Sequence, residues 1–234
     1  MKEKDSKNKE LLKNTFIIFI GKFCTQFISF LLVPLYTKYL ITSDYGYVDL
    51  ILTYISLILP ILILRSDSSI FRYLIDERDN KKERAKTVTS LFVLIIIQIF
   101  ALVLLSTITN MIFKIQYIVS IILSTIMYAF SSMALQYIRG IGDNIGYSIA
   151  SIISGITTLI INIVLIVLLK VGGVSILIST IIANIFCVLY IAFRTKVYRE
   201  IRRESFSEKK LVKMLKYSIP MIPDRTLLVD DKCI

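Results

Sequence analysis

The sequence predicts an all-α fold, a polytopic transmembrane helical bundle with about six complete spans. Hydrophobic residues make up 56% of the 234 residues, and the mean hydropathy is +0.73. They lie in long runs, such as residues 92–105 and 152–169. Runs of roughly twenty residues match a hydrocarbon core about 30 Å thick at about 1.5 Å of rise per helical residue. The runs lack the period-two alternation of a membrane barrel, which indicates helices.

Glycine, proline and charged residues divide the chain into ordered segments. A basic tail covers residues 1–13, and a basic amphipathic linker covers residues 194–216. A seventh span begins within residues 217–234, but five of the last eleven residues are charged, so we expect this span to be truncated. The predicted complete spans cover residues 14–35, 46–65, 88–109, 117–137, 147–169 and 173–193.

The distribution of positive charge predicts the orientation. The tail and alternate loops contain 22 Lys and Arg residues, whereas the other three loops contain only Lys38, Lys114 and Lys170. The positive-inside rule therefore predicts a multi-pass protein of the cell membrane with a cytoplasmic amino terminus. Because the basic residues lie between apolar runs, we expect no nucleic-acid partner. We expect the basic linker to contact anionic membrane lipids.

Polar residues at helical spacing mark candidate binding faces inside the first two spans. Lys22 and Gln26 share one face of the first span, and Asp49 lies on a polar face of the second. A central Lys costs about 3 kcal/mol on insertion, and Lys22 lies about 12 Å from the predicted start of its span. Lys22 either lines a hydrated cavity for an anionic or hydroxyl-rich ligand, or pairs with Asp49. Asp49 either contributes to that cavity or is simply hydrated near the outer boundary.

Arginines form a second group of candidates where the second and fourth spans leave the membrane. Arg65 and Arg72 flank Asp67 after the second span, and Arg139 ends a polar stripe on the fourth. A guanidinium group matches the geometry of phosphate oxygens. The alternative role for Arg65 and Arg72 is membrane anchoring combined with an Arg–Asp pair.

Catalysis and metal binding are not expected. Cys24, Cys187 and Cys233 are isolated, without a CxxC pair, and the sequence has no histidine. The predicted outer loops are only a few residues long and contain no acid/base or metal-binding motif. We therefore predict no enzyme activity, no catalytic residue and no cofactor.

The order of several motifs resembles the polysaccharide-biosynthesis flippases, the oligosaccharide transporter branch of the MATE-like superfamily. The resemblance covers about residues 10 to 223. The motifs that carry it are LVPLYTKYLITSDYGYVDLI, SSIFRYL, QYIRGIGDNIGYSIASI and MLKYSIPMIP.

The resemblance implies one lobe of a two-lobe transporter with a central cationic cavity. Such proteins move oligosaccharide repeat units on polyprenyl diphosphate to the outer leaflet. Arg72 and Arg139 match basic positions at the cytoplasmic mouth of the family, and Lys22 matches a position that is frequently polar. Because family members continue through a second bundle, the resemblance implies an inactive half that needs a second lobe or a homodimer.

Three alternatives to this function remain at the level of sequence. A MATE-type multidrug or cation antiporter half would favour a central intramembrane carboxylate, which the spans lack. A membrane glycosyltransferase or polymerase would need catalytic groups on a larger loop. The chain could also be a membrane fragment that transports nothing.

Overall fold

The computed structural model describes residues 2–221, without the side chains of residues 2–11, 13 and 203. Most of the segment predicted to begin a seventh span, residues 222–234, lies outside the described part. The described chain forms eight α-helices: α1 Lys2–Tyr39, α2 Thr42–Leu62, α3 Ser66–Asp76, α4 Lys81–Phe113, α5 Ile118–Gly140, α6 Asn144–Asn162, α7 Val174–Thr195 and α8 Glu208–Ser218.

Six of these helices are long and apolar enough to cross a membrane, which confirms the predicted fold class. A π-helical turn of six residues, Ile163–Leu168, extends α6. Helix α1 begins at Lys2, twelve residues before the predicted start of its span, and the other boundaries differ by up to about seven residues. One of these is the start of α4, where Asn80 caps the helix by accepting a hydrogen bond from the Glu83 amide over 3.2 Å.

The six long helices place their connections at two ends. The end that carries α3, α8 and the turn between α5 and α6 is called the basic end below, and the end that carries the turns at 40–41, 114–117 and 169–173 is called the opposite end. Consecutive long helices alternate in direction, so α1, α4 and α6 begin at the basic end. A side chain on α1 therefore leans back towards the basic end.

Helix α7 lies at the centre of the bundle. It packs along both α5 and α6, α6 packs along α1, and α5 packs along α3. Side-chain hydrogen bonds join these helices, since the Asn162 amide donates to Ser179 over 2.7 Å and the Ser131 hydroxyl donates to Asn184 over 2.6 Å. Each such bond contributes roughly 0.6 kcal/mol in a membrane bundle.

The basic end contains structure that the spans alone do not predict. Helix α3 buries Ile70 and Leu74 against the bundle, within a segment expected to be a loop. The segment predicted as one linker helix instead breaks at Lys196, which adopts a left-handed backbone, and forms two short 3₁₀ turns before α8. Helix α8 docks on α3 through Met214, whose side chain is buried and whose carbonyl accepts a hydrogen bond from Ser69.

A candidate cleft between the first two spans

Helix α1 presents three different faces along its length. The first packs on α6: Gly21 lies so close to Ser148 that a Cβ atom there would fall 2.9 Å from the Ser148 Cα. The second carries Lys22, Gln26 and Ser29, all exposed. The third is an exposed stripe of phenylalanines in which neighbouring rings stack at centroid distances of 6.0 and 6.5 Å. These phenylalanines are Phe16, Phe19, Phe23, Phe27 and Phe30.

The polar face of α1 is directed towards α2. Tyr36 lies on the same side of α1 as Lys22 and Ser29, at helical spacing. Its ring contacts the ring of Tyr45 on α2, with 5.7 Å between centroids. This contact closes the space between the two helices near the opposite end, and the polar face lines that space towards the basic end.

The polar face of α2 lines the same space. Asp49, Thr53 and Ser56 follow Tyr45 at steps that keep them on its side of the helix, and all three are exposed. The hydroxyl groups of Thr53 and Ser56 donate to backbone carbonyls of their own helix over 2.9 and 2.7 Å. Their oxygens retain lone pairs for a ligand. The two stripes predicted separately from the sequence therefore lie on the sides of α1 and α2 that meet at the Tyr36–Tyr45 contact, and the space between these sides is called the cleft below.

Helices α5 and α7 form the floor of this cleft. A cavity of about 220 Å³ is bordered by Ser56 and by Ser124, Tyr128 and Thr180, together with two apolar residues of α2. Ser124 and Tyr128 belong to the polar stripe that the sequence indicates on α5. Thr180 was missed by the sequence reasoning, since a single threonine among apolar residues gives no periodic signal.

Packing against α6 places Lys22 near the basic end of the bundle. Gly21 lies level with Ser148, which is four residues, or about 6 Å, from the start of α6 at the basic end. The Lys22 side chain leans towards that end and can extend its ammonium group to the interface. The expected depth of about 12 Å is counted along α1 from the start of its apolar run, and it stays a prediction.

The predicted alternative of a Lys22–Asp49 pair is not supported by this geometry. Tyr36 and Tyr45 lie at one level along the bundle axis. Counted from that level towards the basic end, Lys22 lies about 21 Å away along α1 and Asp49 about 6 Å away along α2. The remaining separation of about 15 Å along the axis exceeds the reach of the two side chains. None of the ion pairs between described side chains includes Lys22 or Asp49.

Arg65 lies at the basic end, between α2 and α3. Leu64 and Arg65 both adopt left-handed backbone conformations, with φ of 48° and 52°, which turn the chain sharply from α2 into α3. The Arg65 guanidinium donates to Ser68 over 2.8 Å, and its buried Nε has no hydrogen-bond partner in the described residues. Asp67 is buried nearby in sequence, yet it forms no ion pair with Arg65 or Arg72 among the described side chains.

The other two predicted arginines lie further along the basic end. Arg72 is exposed on α3, and Arg139 is half-buried at the end of α5, with its guanidinium 4.5 Å from the centre of the Phe71 ring. A cation over an aromatic face gains about 0.5–2 kcal/mol, so part of the charge of Arg139 is already compensated. Of the predicted site residues, Lys22, Gln26 and Asp49 thus lie on the exposed polar faces of α1 and α2, whereas Arg65, Arg72 and Arg139 lie at the basic end.

An ion pair joins α7 to the start of α6 at the basic end. Arg194 donates to Asp143 over 2.5 Å and 3.2 Å, and Asp143 accepts from the Gly146 amide over 2.8 Å at the start of α6. The hydrogen bonds from Arg194 and then Gly146 hold the pKa of the Asp143 carboxyl below its usual value. Within the described residues, no group of three or more His, Cys, Asp or Glu side chains could hold a metal ion.

Comparison with solved structures shows a shared fold. The chain superposes on a MATE protein in complex with Br-NRF with a TM-score of 0.77 at 15% identity, covering 94% of this chain and 56% of that one. It superposes on an outward-facing multidrug resistance MATE transporter of the MOP superfamily (TM-score 0.73, 14% identity). It also superposes on a MOP superfamily transporter from Pyrococcus furiosus (TM-score 0.72, 14% identity). In both of these comparisons the alignment covers 92% of this chain and 52% of the other, so the chain spans about half their length.

Comparison at the level of sequence identifies the family. No curated protein matches the sequence. The family model described as "Polysaccharide biosynthesis protein" matches residues 11–229, which is nearly the whole chain. The protein therefore belongs to the polysaccharide biosynthesis protein family, and it has the fold of about half of a MATE transporter.

Proposed function

We propose that this chain forms one lobe of a transporter that moves a lipid-linked oligosaccharide across the cell membrane, with the α1–α2 cleft as its part of the substrate path. The observation that carries the proposal is the convergence of two polar stripes on one cleft. Lys22, Gln26 and Ser29 border one side, and Asp49, Thr53 and Ser56 border the other. Polar side chains within membrane spans are costly, and they typically face a hydrated path or a partner helix.

The charges along the cleft suggest how such a substrate would lie in it. Lys22 and Arg65 place positive charge in the half nearer the basic end, where Arg72 and Arg139 are also located. A diphosphate group would be favoured there. The middle of the cleft offers hydroxyl and amide groups, which suit the hydroxyls of a sugar. The polyprenyl chain would remain in lipid, next to the phenylalanine face of α1.

The proposed orientation places the basic end in the cytoplasm, in agreement with the positive-inside rule. The substrate would enter at the cationic mouth and leave past the Tyr36–Tyr45 contact at the opposite end. A second lobe, or a second copy of this chain, would cover the exposed polar faces, since transporters commonly place the path between two repeats. The protein needs to perform no chemical step in this role.

Binding of undecaprenyl diphosphate tests the proposal. We expect Lys22→Gln to weaken binding to the chain in lipid nanodiscs about tenfold, because a hydrogen bond to a charged group contributes roughly 1.5–3 kcal/mol. Lys38→Gln is the matched control, since Lys38 lies at the opposite end, 5.4 Å from the Tyr39 ring centre. Equal affinities of the wild type and Lys22→Gln would refute a role for the cleft in diphosphate binding.

One observation keeps a cation antiporter as a second candidate. Asp49 is an exposed carboxylate in the cleft, and no described side chain forms an ion pair with it. Carboxylates within spans are typical of proton and cation relays. Binding of an organic cation that is lost in Asp49→Asn but kept in Lys22→Gln would favour this candidate over the oligosaccharide transporter.

A further inference from the structure

We propose that the basic end also binds one anionic phospholipid at a discrete site, separate from the cleft. Its phosphate would lie in a basic pocket between the start of α4 and residues 197–205. One acyl chain would enter an apolar cavity between α4, α5 and α7. The proposal rests on the shape and charge of these two adjoining cavities and is independent of the transported substrate.

The basic pocket has a volume of about 420 Å³. Glu200 lies in its wall, but it is already paired with Arg84 and accepts a hydrogen bond from the Tyr137 hydroxyl over 3.1 Å. Glu204 is the other acidic residue that borders the pocket. The basic residues that border it are Lys81, Lys82, Arg84, Lys86, Arg199 and Arg202.

Several of these cations remain available for an anion. Lys86 donates to Glu83 over 2.7 Å, and Arg84 is held by Glu200. The side chains of the other four basic residues are exposed and take part in no ion pair between described side chains. The first turn of α4 adds unpaired backbone amides of a 33-residue helix, which also favour negative charge. The pocket is therefore complementary to a phosphate group.

The apolar cavity adjoins this pocket and extends into the membrane-spanning region. Its volume is about 210 Å³, and apart from the Tyr137 hydroxyl the side chains that line it are apolar. Val88 and Ile95 of α4 border it, so it extends over about 10 Å of that helix. Ala134 of α5 and Ala192 of α7 border the same cavity.

The short segment after α7 borders both compartments. Val197 and Ile201 face the apolar cavity, whereas Arg199 and Arg202 border the basic pocket. The Arg202 amide and the Glu200 carbonyl both bond to the Thr89 hydroxyl, over 3.2 and 3.3 Å, which fixes the segment on α4. An amphiphile with a phosphate and an apolar chain on adjacent atoms fits this arrangement, and a water-soluble anion would leave the cavity unfilled.

The proposed lipid site differs in location from the substrate cleft. Tyr137 and Phe130 border the apolar cavity and lie on the face of α5 opposite Ser124 and Tyr128, which border the cleft. Failure of undecaprenyl diphosphate to bind the cleft would therefore leave this proposal intact. Failure of the phospholipid to bind its site would likewise leave the proposed function of the cleft intact.

Native mass spectrometry of the full chain, with dioleoyl phosphatidylglycerol added, tests the headgroup compartment. We expect Lys82→Gln combined with Arg202→Gln to weaken binding about tenfold or more, since each basic residue near an anionic lipid contributes about 1 kcal/mol. Lys209→Gln combined with Lys213→Gln is the control, because it removes the same charge from exposed positions of α8 outside the pocket. Equal losses in both double variants would overturn the proposal in favour of diffuse attraction. Equal binding of dioleoyl phosphatidylcholine would overturn it too, because the site would then have no preference for an anionic headgroup.

A second pair of variants tests the acyl compartment. Ala192→Leu and Ala134→Leu each add bulk to the cavity, and melting temperatures would establish which of them retains the fold. We expect the folded variant to bind dioleoyl phosphatidylglycerol at least threefold more weakly than the wild type does. Its affinity for the short-chain dihexanoyl lipid should be unchanged. Unchanged dioleoyl binding would overturn the acyl site. If neither variant folds, the affinities of dihexanoyl and dioleoyl phosphatidylglycerol for the wild type are compared. Equal affinities of the two lipids would overturn the acyl site.

Discussion

The polar residues of α7 and those of α1 and α2 lie in opposite environments. In the most apolar stretch of α7, 44% of the residues are buried, against 11% in both α1 and α2. Ser179 and Asn184 of α7 are buried and bonded to neighbouring helices. Gln26 of α1 and Asp49 of α2 are exposed. Polar residues therefore serve two purposes in one bundle, and contact with a partner helix, not residue type, distinguishes them.

The largest expected effect comes from the packed side of α1. Gly21→Ala places a methyl group 2.9 Å from the Ser148 backbone, and we expect it to lower the free energy of unfolding by about 1–3 kcal/mol. Gly46→Ala on α2 is the matched control, because nothing lies within 4 Å of its Cβ position. Thermal unfolding in detergent measures both. A Gly21→Ala protein as stable as Gly46→Ala would show that α1 does not pack on α6 as described.

A smaller effect is expected from the polar contact between α6 and α7. Asn162→Leu removes the hydrogen bond to Ser179 and should cost about 1 kcal/mol of unfolding free energy. Gln26→Leu, in the open cleft, should change the stability by no more than about 0.5 kcal/mol. Chemical denaturation of the two variants compares them. A larger loss of stability in Gln26→Leu than in Asn162→Leu would contradict the contrast between α7 and α1.

The smallest effect concerns the ion pair that joins α6 to α7. Because Arg194 holds the pKa of Asp143 below its usual value, the pair stabilises the fold above the ordinary carboxyl pKa. That contribution is lost as the pH falls through the lowered value in the folded state. Asp143→Asn should therefore lower the melting temperature slightly at pH 7, by an amount that corresponds to at most about 1 kcal/mol for this partly exposed pair. The difference should shrink as the pH falls below the ordinary carboxyl pKa and through the lowered value in the folded state, and a constant difference across pH would contradict this origin.

The spans could be predicted from the sequence because the thickness of a bilayer fixes the length of an apolar helix. The faces of α1 and α2 were predictable for a similar reason, since helical spacing groups Lys22 with Gln26 regardless of tertiary structure. Helix α3 was missed because its charged residues resemble a loop, and its burial depends on helices that lie elsewhere in the sequence.

The depth of Lys22 and the partner of its stripe could not be obtained from the sequence. The level of Lys22 depends on the register between α1 and α6, which are more than a hundred residues apart and meet at Gly21 and Ser148. The Lys22–Asp49 alternative remained open because it depends on the relative height of α1 and α2, which the Tyr36–Tyr45 contact indicates.

Cysteine labelling along α1 tests most directly whether its second face borders a hydrated cleft. In a background with the native cysteines replaced by serine, Gln26→Cys and Phe27→Cys would be exposed to a charged, membrane-impermeant thiol reagent in nanodiscs. We predict rapid modification at position 26 and little at position 27, which lies in the phenylalanine stripe towards lipid. Equal protection of both positions would contradict the cleft, because it would place Gln26 among acyl chains.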